Sequence, residues 1–146
     1  MKDAITIRKV STAEELQQAQ EIRVRVFEEE QGLPHEVNID GADQVASHVL
    51  VLDGEVPVAT ARLTIVGAGQ GKIARIAVLP SHRGMGLGKQ LVRELEALGR
   101  RDGLNTFCME PHAHLEGFYQ ALGYETVAGS LDLARHPLIR MKKEVS

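Results

Sequence analysis

The chain holds one cysteine, no tryptophan, three phenylalanines and two tyrosines in 146 residues. A lone Cys108 excludes an intrachain disulfide framework and suits a reducing compartment. No apolar run approaches the roughly 20 residues that span a bilayer. Met1 to Val10 also lacks the uninterrupted apolar core of a secretion signal, so a cytoplasmic protein without a membrane partner is expected. Basic excess is missing too. Lys and Arg number 17 against 20 Asp and Glu, a net charge of −3, which gives no reason to expect a nucleic-acid partner. Repeats, low-complexity tracts and linkers are absent. The length fits a single domain over residues 1–146 and is too short for the two nucleotide-binding halves of a dehydrogenase.

What is present is concentrated in the stretch from Ile73 to Val92. Ile73, Ile76, Val78 and Leu79 supply an apolar, β-branched strand that Pro80 ends, because proline has no amide hydrogen for the ladder. Gly84, Gly86 and Gly88 then remove three side chains where the backbone enters a helix, so amide N–H groups can converge on a ligand. The first N–H groups of a helix lack partners and carry partial positive charge, which a phosphate or diphosphate satisfies. Arg83 and Lys89 add positive charge at the rim. A Walker loop is one residue longer and needs a hydroxyl where Gln90 stands. A dinucleotide fingerprint spaces its third glycine differently, although Glu110 could imitate the ribose-binding acid.

Arg83-Gly-Met-Gly-Leu-Gly88, preceded by Ile76-Ala-Val-Leu-Pro80, resembles the Arg/Gln-x-x-Gly-x-Gly/Ala motif and fourth strand of the GNAT superfamily of acetyl-CoA-dependent N-acetyltransferases. The resemblance implies an α/β (α+β) fold with a mixed, mostly antiparallel sheet of six to seven strands, about four helices and a parallel βαβ crossover at the CoA site. It also implies that Arg83, Gly84, Met85, Gly86, Leu87, Gly88 and Lys89 hold the CoA diphosphate, and that the edge formed by Ile76, Ala77 and Val78 lies along the pantetheine arm and acetyl carbonyl.

Elsewhere the chain divides cleanly. Ala4 to Val10 alternates as an edge strand. Ser11–Glu14 and Thr12–Glu15 each form a capping-box pattern, and apolar spacing predicts a helix over residues 12–27. Glu28 to Asp43 carries six carboxylates, a proline and two glycines, and reads as a loop, either solvated or bordering the acceptor site. Phe27-Glu-Glu-Glu-Gln-Gly-Leu-Pro-His-Glu, Ile39-Asp-Gly-Ala-Asp43 and His48 resemble the ElaA-like branch of GNAT proteins, which points to Glu30 and Gln31 as site-lining. Strands are predicted over 45–52 and 55–66, joined at Asp53-Gly54, and over 72–79. Arg62 and Arg75 within them either face solvent or bind an anionic part of the acceptor or CoA. A helix follows the glycine turn to Arg101, stopped by Gly103, and a strand spans 104–109.

The second informative stretch is His112 to Tyr124. Leu115, Phe118, Tyr119 and Leu122 fall at helical spacing, which assigns Phe118 to the core. Phe118-Tyr-Gln-Ala-Leu-Gly-Tyr124 resembles the GNAT signature whose tyrosine protonates the departing thiolate. That assigns Tyr119 as a catalytic acid near the CoA sulfur. His112 stands where many relatives place an asparagine on the pantetheine arm, and can bond the cofactor or relay a proton. Phe107 occupies the position of the glutamate base of some relatives, so Glu30, Glu110, His112 or a water chain remain as bases. Cys108, His112 and His114 have no second ligand pair at zinc spacing, and no metal is expected. Final strands are predicted over 124–128 and 138–143, joined by a loop containing His136. The expected reaction moves an acetyl group to a primary amine of a small molecule or peptide, with a cationic amine suggested by the acidic loop. A CoA-binding sensor without turnover is the alternative, and a homodimer is left open.

Overall fold

The computed structural model describes residues 4–133 and 136–145. In chain order its regular elements are β1 (Ile5–Lys9), α1 (Ala13–Arg23), α2 (His35–Asn38), β2 (Ser47–Asp53), β3 (Val56–Gly67), β4 (Gln70–Val78), α3 (Leu87–Arg101), β5 (Thr106–Met109), α4 (Glu116–Gln120), β6 (Glu125–Leu133) and β7 (His136–Glu144). The strands form one seven-stranded sheet, ordered β1-β2-β3-β4-β5-β7-β6. β4 and β5 are parallel and the other neighbours antiparallel. This is the mixed fold expected above.

Period-two alternation builds a core on each face of the sheet. Val49 and Val51 join the cluster under α3, whereas Leu50 and Leu52 pack with Ala19, Ile22 and Val26 from the other side. Each buried side chain of this size contributes about 1.5–3 kcal/mol relative to exposure. α3 presents Leu87, Leu91, Val92, Leu95 and Leu98 to the sheet. It approaches so closely at Gly99 that a Cβ there would lie 2.7 Å from the Phe107 ring. At the far end of this core, the Tyr124 hydroxyl donates to Glu96 at 2.7 Å, and Lys143 caps the same carboxylate at 3.1 Å.

Several boundaries differ from the sequence-based ones for identifiable reasons. Thr12, not Ser11, caps α1: its hydroxyl accepts from the Glu15 amide at 3.1 Å while the Glu15 carboxylate accepts from the Thr12 amide at 3.2 Å. The α-helix then ends at the buried Arg23 and continues as a π-helical stretch, Val24–Glu30, in which Val26 is buried. The helix expected after His112 shrinks to a 3₁₀ turn and α4, which leaves Phe118 44% exposed; its assignment to the core is corrected. β6 and β7 extend to Leu133 and His136, so most of the loop expected there is a longer hairpin arm, with residues 134–135 outside the described residues.

The sheet is continuous except at its centre. Parallel pairing between β4 and β5 covers only Gln70–Lys72 against Thr106–Cys108. Beyond that the strands part. On the other edge of β4 a bulge sets two residues, Arg75 and Ile76, against Ala61, and Arg75 takes φ 56, the positive φ of a non-glycine residue. A cleft of about 410 Å³ fills the gap, with residues 72–76 on one wall and 109–112 on the other.

Candidate active site

The glycine turn lies past the end of β4. Gly84 and Gly86 adopt φ 81 and φ 76, a left-handed conformation that favours glycine, and a Cβ at either would meet nothing within 4 Å. Space for a ligand therefore sits directly over the backbone. Gly86 caps α3, and the first intrahelical bond there runs from the Gln90 amide to the Gly86 carbonyl at 3.2 Å. The amides of Leu87, Gly88 and Lys89 are left with no helical partner, the arrangement that receives a phosphate. Leu87 anchors the turn in the core, while Met85 is 41% exposed and Lys89 lies at the surface. These residues fit a diphosphate.

Arg83 is held from two sides. Its Nε donates to the Val78 carbonyl at 3.0 Å, and its Nη1 and Nη2 form a two-pronged pair with Glu30, both at 2.7 Å. The Arg83 guanidinium in turn lowers the Glu30 pKa. Glu30 thus joins the π-helical stretch to the glycine turn, and it is not among the residues lining the cleft. Of the strand-edge residues, Ile76 lines the cleft. The Ala77 side chain is buried against α1's cluster, so this residue offers only backbone to a ligand.

Tyr119 is 5% exposed and forms part of the cleft wall. Burial alone pushes its phenol up to about 12, and its ring is braced edge-on by Phe118 at 4.9 Å and Tyr124 at 6.4 Å. His112 lines the same cleft and bridges to Leu138 of β7. Glu110 does too, but it accepts from Lys72 and from Arg140 at 3.1 Å, and despite desolvation these cations lower its pKa. Cys108 is half-buried, and burial pushes its thiol up, away from nucleophile range.

The wall around Asp40 and Asp43 holds what sequence reasoning missed. Arg23 is fully buried; its Nη1 donates to Asp43 at 2.8 Å, and its Nε to the Asn38 side chain at 3.1 Å. Arg62, expected to face solvent or an anionic ligand, is instead 5% exposed and pairs with Asp40 at 2.9 Å and Asp43 at 3.1 Å. Arg75 donates from Nε to the Asn38 carbonyl at 3.2 Å and from Nη2 to Val37 and Asp40. The Asp40 carboxyl is held far below its usual range, chiefly by hydrogen bonds from Arg62. The stretch around Asp40 and Asp43 is therefore a built wall rather than a solvated loop. His48 bonds the Asp43 carbonyl at 3.0 Å, and burial lowers its pKa. An arginine between Ile22 and Val26 on an apolar helical face was the one sequence signal available for this wall.

Comparison with known proteins agrees with this geometry. The Acetyltransferase (GNAT) family matches residues 11–124. A Bacillus subtilis (strain 168) protein whose name marks it as a candidate acetyltransferase is 37% identical over 143 residues, covering 96% of this chain and 97% of its own length. Escherichia coli ElaA superposes with a TM-score of 0.86 at 27% identity, covering 96% of this chain and 99% of its own. An acyl-CoA N-acyltransferase from Pseudomonas aeruginosa gives 0.85 at 27% identity, covering 95% and 99%. Members of the family generally use acetyl-CoA and act on amines. With its turn, its parted strands and its relatives in accord, this chain belongs to the GNAT family of acetyltransferases.

Proposed function

We propose that this chain transfers the acetyl group of acetyl-CoA to a primary amine by direct attack within a ternary complex. Bound acetyl-CoA supplies an activated acyl group, whose C–S bond breaks as the new C–N bond forms. The amides from Gly84 to Lys89 hold the diphosphate, with Arg83 beside them. The edge of β4 at Ile76 to Val78 aligns the thioester and donates an amide to its carbonyl as negative charge develops there. Tyr119 gives its proton to the departing thiolate; a phenol pushed to about 12 still carries that proton at neutral pH. His112 takes the proton lost by the amine, directly or through water. His112 lines the same cleft as Tyr119, whereas Glu30 lies outside it.

The observation that carries this reading is the placement of the Tyr119 ring in the wall of the cleft that opens between β4 and β5. The test is thiol release from acetyl-CoA across an amine library. Tyr119→Phe should lower kcat by about a hundredfold or more while leaving CoA affinity within about twofold. Wild-type protein that binds CoA but releases no thiol with any amine would contradict the reading and favour a sensor.

A further inference from the structure

The wall around Asp40 and Asp43 ties its charged groups into defined pairs. Three guanidinium groups, Arg23, Arg62 and Arg75, meet two carboxylates, Asp40 and Asp43. The nearby Glu28 is engaged by Asn38 and His35. Across the cleft, Glu110 faces two cations, Lys72 and Arg140. Arg75 is the member of the trio that lines the cleft, with its side chain 22% exposed. Its Nε and Nη2 are spent on the loop at residues 37–40, and Nη1 bonds no described residue. Its backbone is held at φ 56 within the bulge, a strained position of the kind that collects at ligand sites. Nearby, the Gln31 side-chain oxygen is buried without a hydrogen-bond partner, where a ligand N–H would satisfy it. The remaining walls are largely apolar, with Phe27, Leu33, Val37, Leu115 and Leu138 among them.

Resting on the acetyltransferase reading above, we infer that the acceptor is an amine that also carries a carboxylate and a compact apolar body, and that Arg75 Nη1 selects it by donating a hydrogen bond to that carboxylate. A polyamine, one form of the cationic amine that the acidic loop suggests in sequence, would meet a wall whose carboxylates are already occupied. Amino acids with apolar side chains have the required chemistry.

The test compares matched pairs, leucine with 3-methylbutylamine and phenylalanine with phenethylamine, in acetyl-CoA-dependent thiol release. The carboxylated member should have kcat/KM higher by about tenfold or more, a preference that collapses towards one in Arg75→Gln and partly returns in Arg75→Lys. Calorimetric titration of CoA-saturated wild-type protein avoids both turnover and variant folding. 4-Methylpentanoate should bind about tenfold tighter than 4-methylpentanamide. Equal binding of acid and amide, or a preference for the amine without a carboxylate, overturns the inference. Tighter binding of the acid without turnover of any amine would sink the acetyl-transfer reading, and the acceptor assignment with it, while upholding Arg75 as a carboxylate site.

Discussion

The glycine turn and the wall around Asp40 and Asp43 handle charge in opposite ways. From Gly84 to Lys89 a mostly exposed segment, anchored by Leu87, leaves the first helical amides uncommitted, and glycine keeps the space above them clear. Around Asp40 and Asp43, side chains from α1, α2, β3 and β4 are held in fixed pairs, buried at Arg23, Arg62 and Asp43 and partly exposed at Asp40 and Arg75. The first region is built to meet an anion, and the second to hold a shape. A turn of this kind costs little stability to lose; a buried ionic wall, once a partner is removed, leaves charge with no solvent to receive it.

The contrast is broken most severely at Asp43. Asp43→Ala strands Arg23 and Arg62, and urea unfolding should show a loss of about 3–5 kcal/mol. The same experiment run against pH sharpens it. His48, Asp40 and Asp43 all have pKa values lowered by folding, so the unfolded chain binds their protons first. Stability should begin to fall below pH 6.5 as His48 is called on to charge. It should fall further below 3.8 as the two carboxylates take up protons, with a shallower acid loss in Asp43→Ala.

At the turn the balance reverses. Gly86→Ala places a Cβ in open space but at φ 76, so unfolding should show a loss of only about 1–2 kcal/mol. The affinity for acetyl-CoA, measured by calorimetry, should fall about tenfold or more because the amides no longer converge. The smallest effect is expected at the seam between the two regions. Glu30→Gln breaks an exposed pair, so it should leave the unfolding midpoint nearly unchanged and raise the KM for acetyl-CoA through Arg83. It should lower kcat less than about threefold, whereas loss of a general base would cost about a hundredfold or more.

The two regions also differ in how far the sequence reveals them. Arg83 to Gly88 is contiguous, and its φ values follow from glycine and helix-start chemistry, so the turn and the strand before it could be read directly. The role proposed for Tyr119 comes from its resemblance to a family signature, and the structure adds its place in the cleft wall. Its neighbour Phe118 was misassigned because the periodicity continued past the point where the backbone changed from 3₁₀ turn to a short helix. Arg62 is separated from Asp40 by 22 residues and Arg75 from Asn38 by 37, and local pattern carries no information about such pairings. Six carboxylates in one stretch look like a negatively charged loop until the strands bring arginines beneath them.

The most direct measurement is a crystal structure of the CoA complex. Diphosphate oxygens are predicted within about 3 Å of amides between Gly84 and Lys89, with the sulfur beside the Tyr119 hydroxyl in the cleft between β4 and β5. A diphosphate bound away from that turn, or a sulfur remote from Tyr119, would contradict the account.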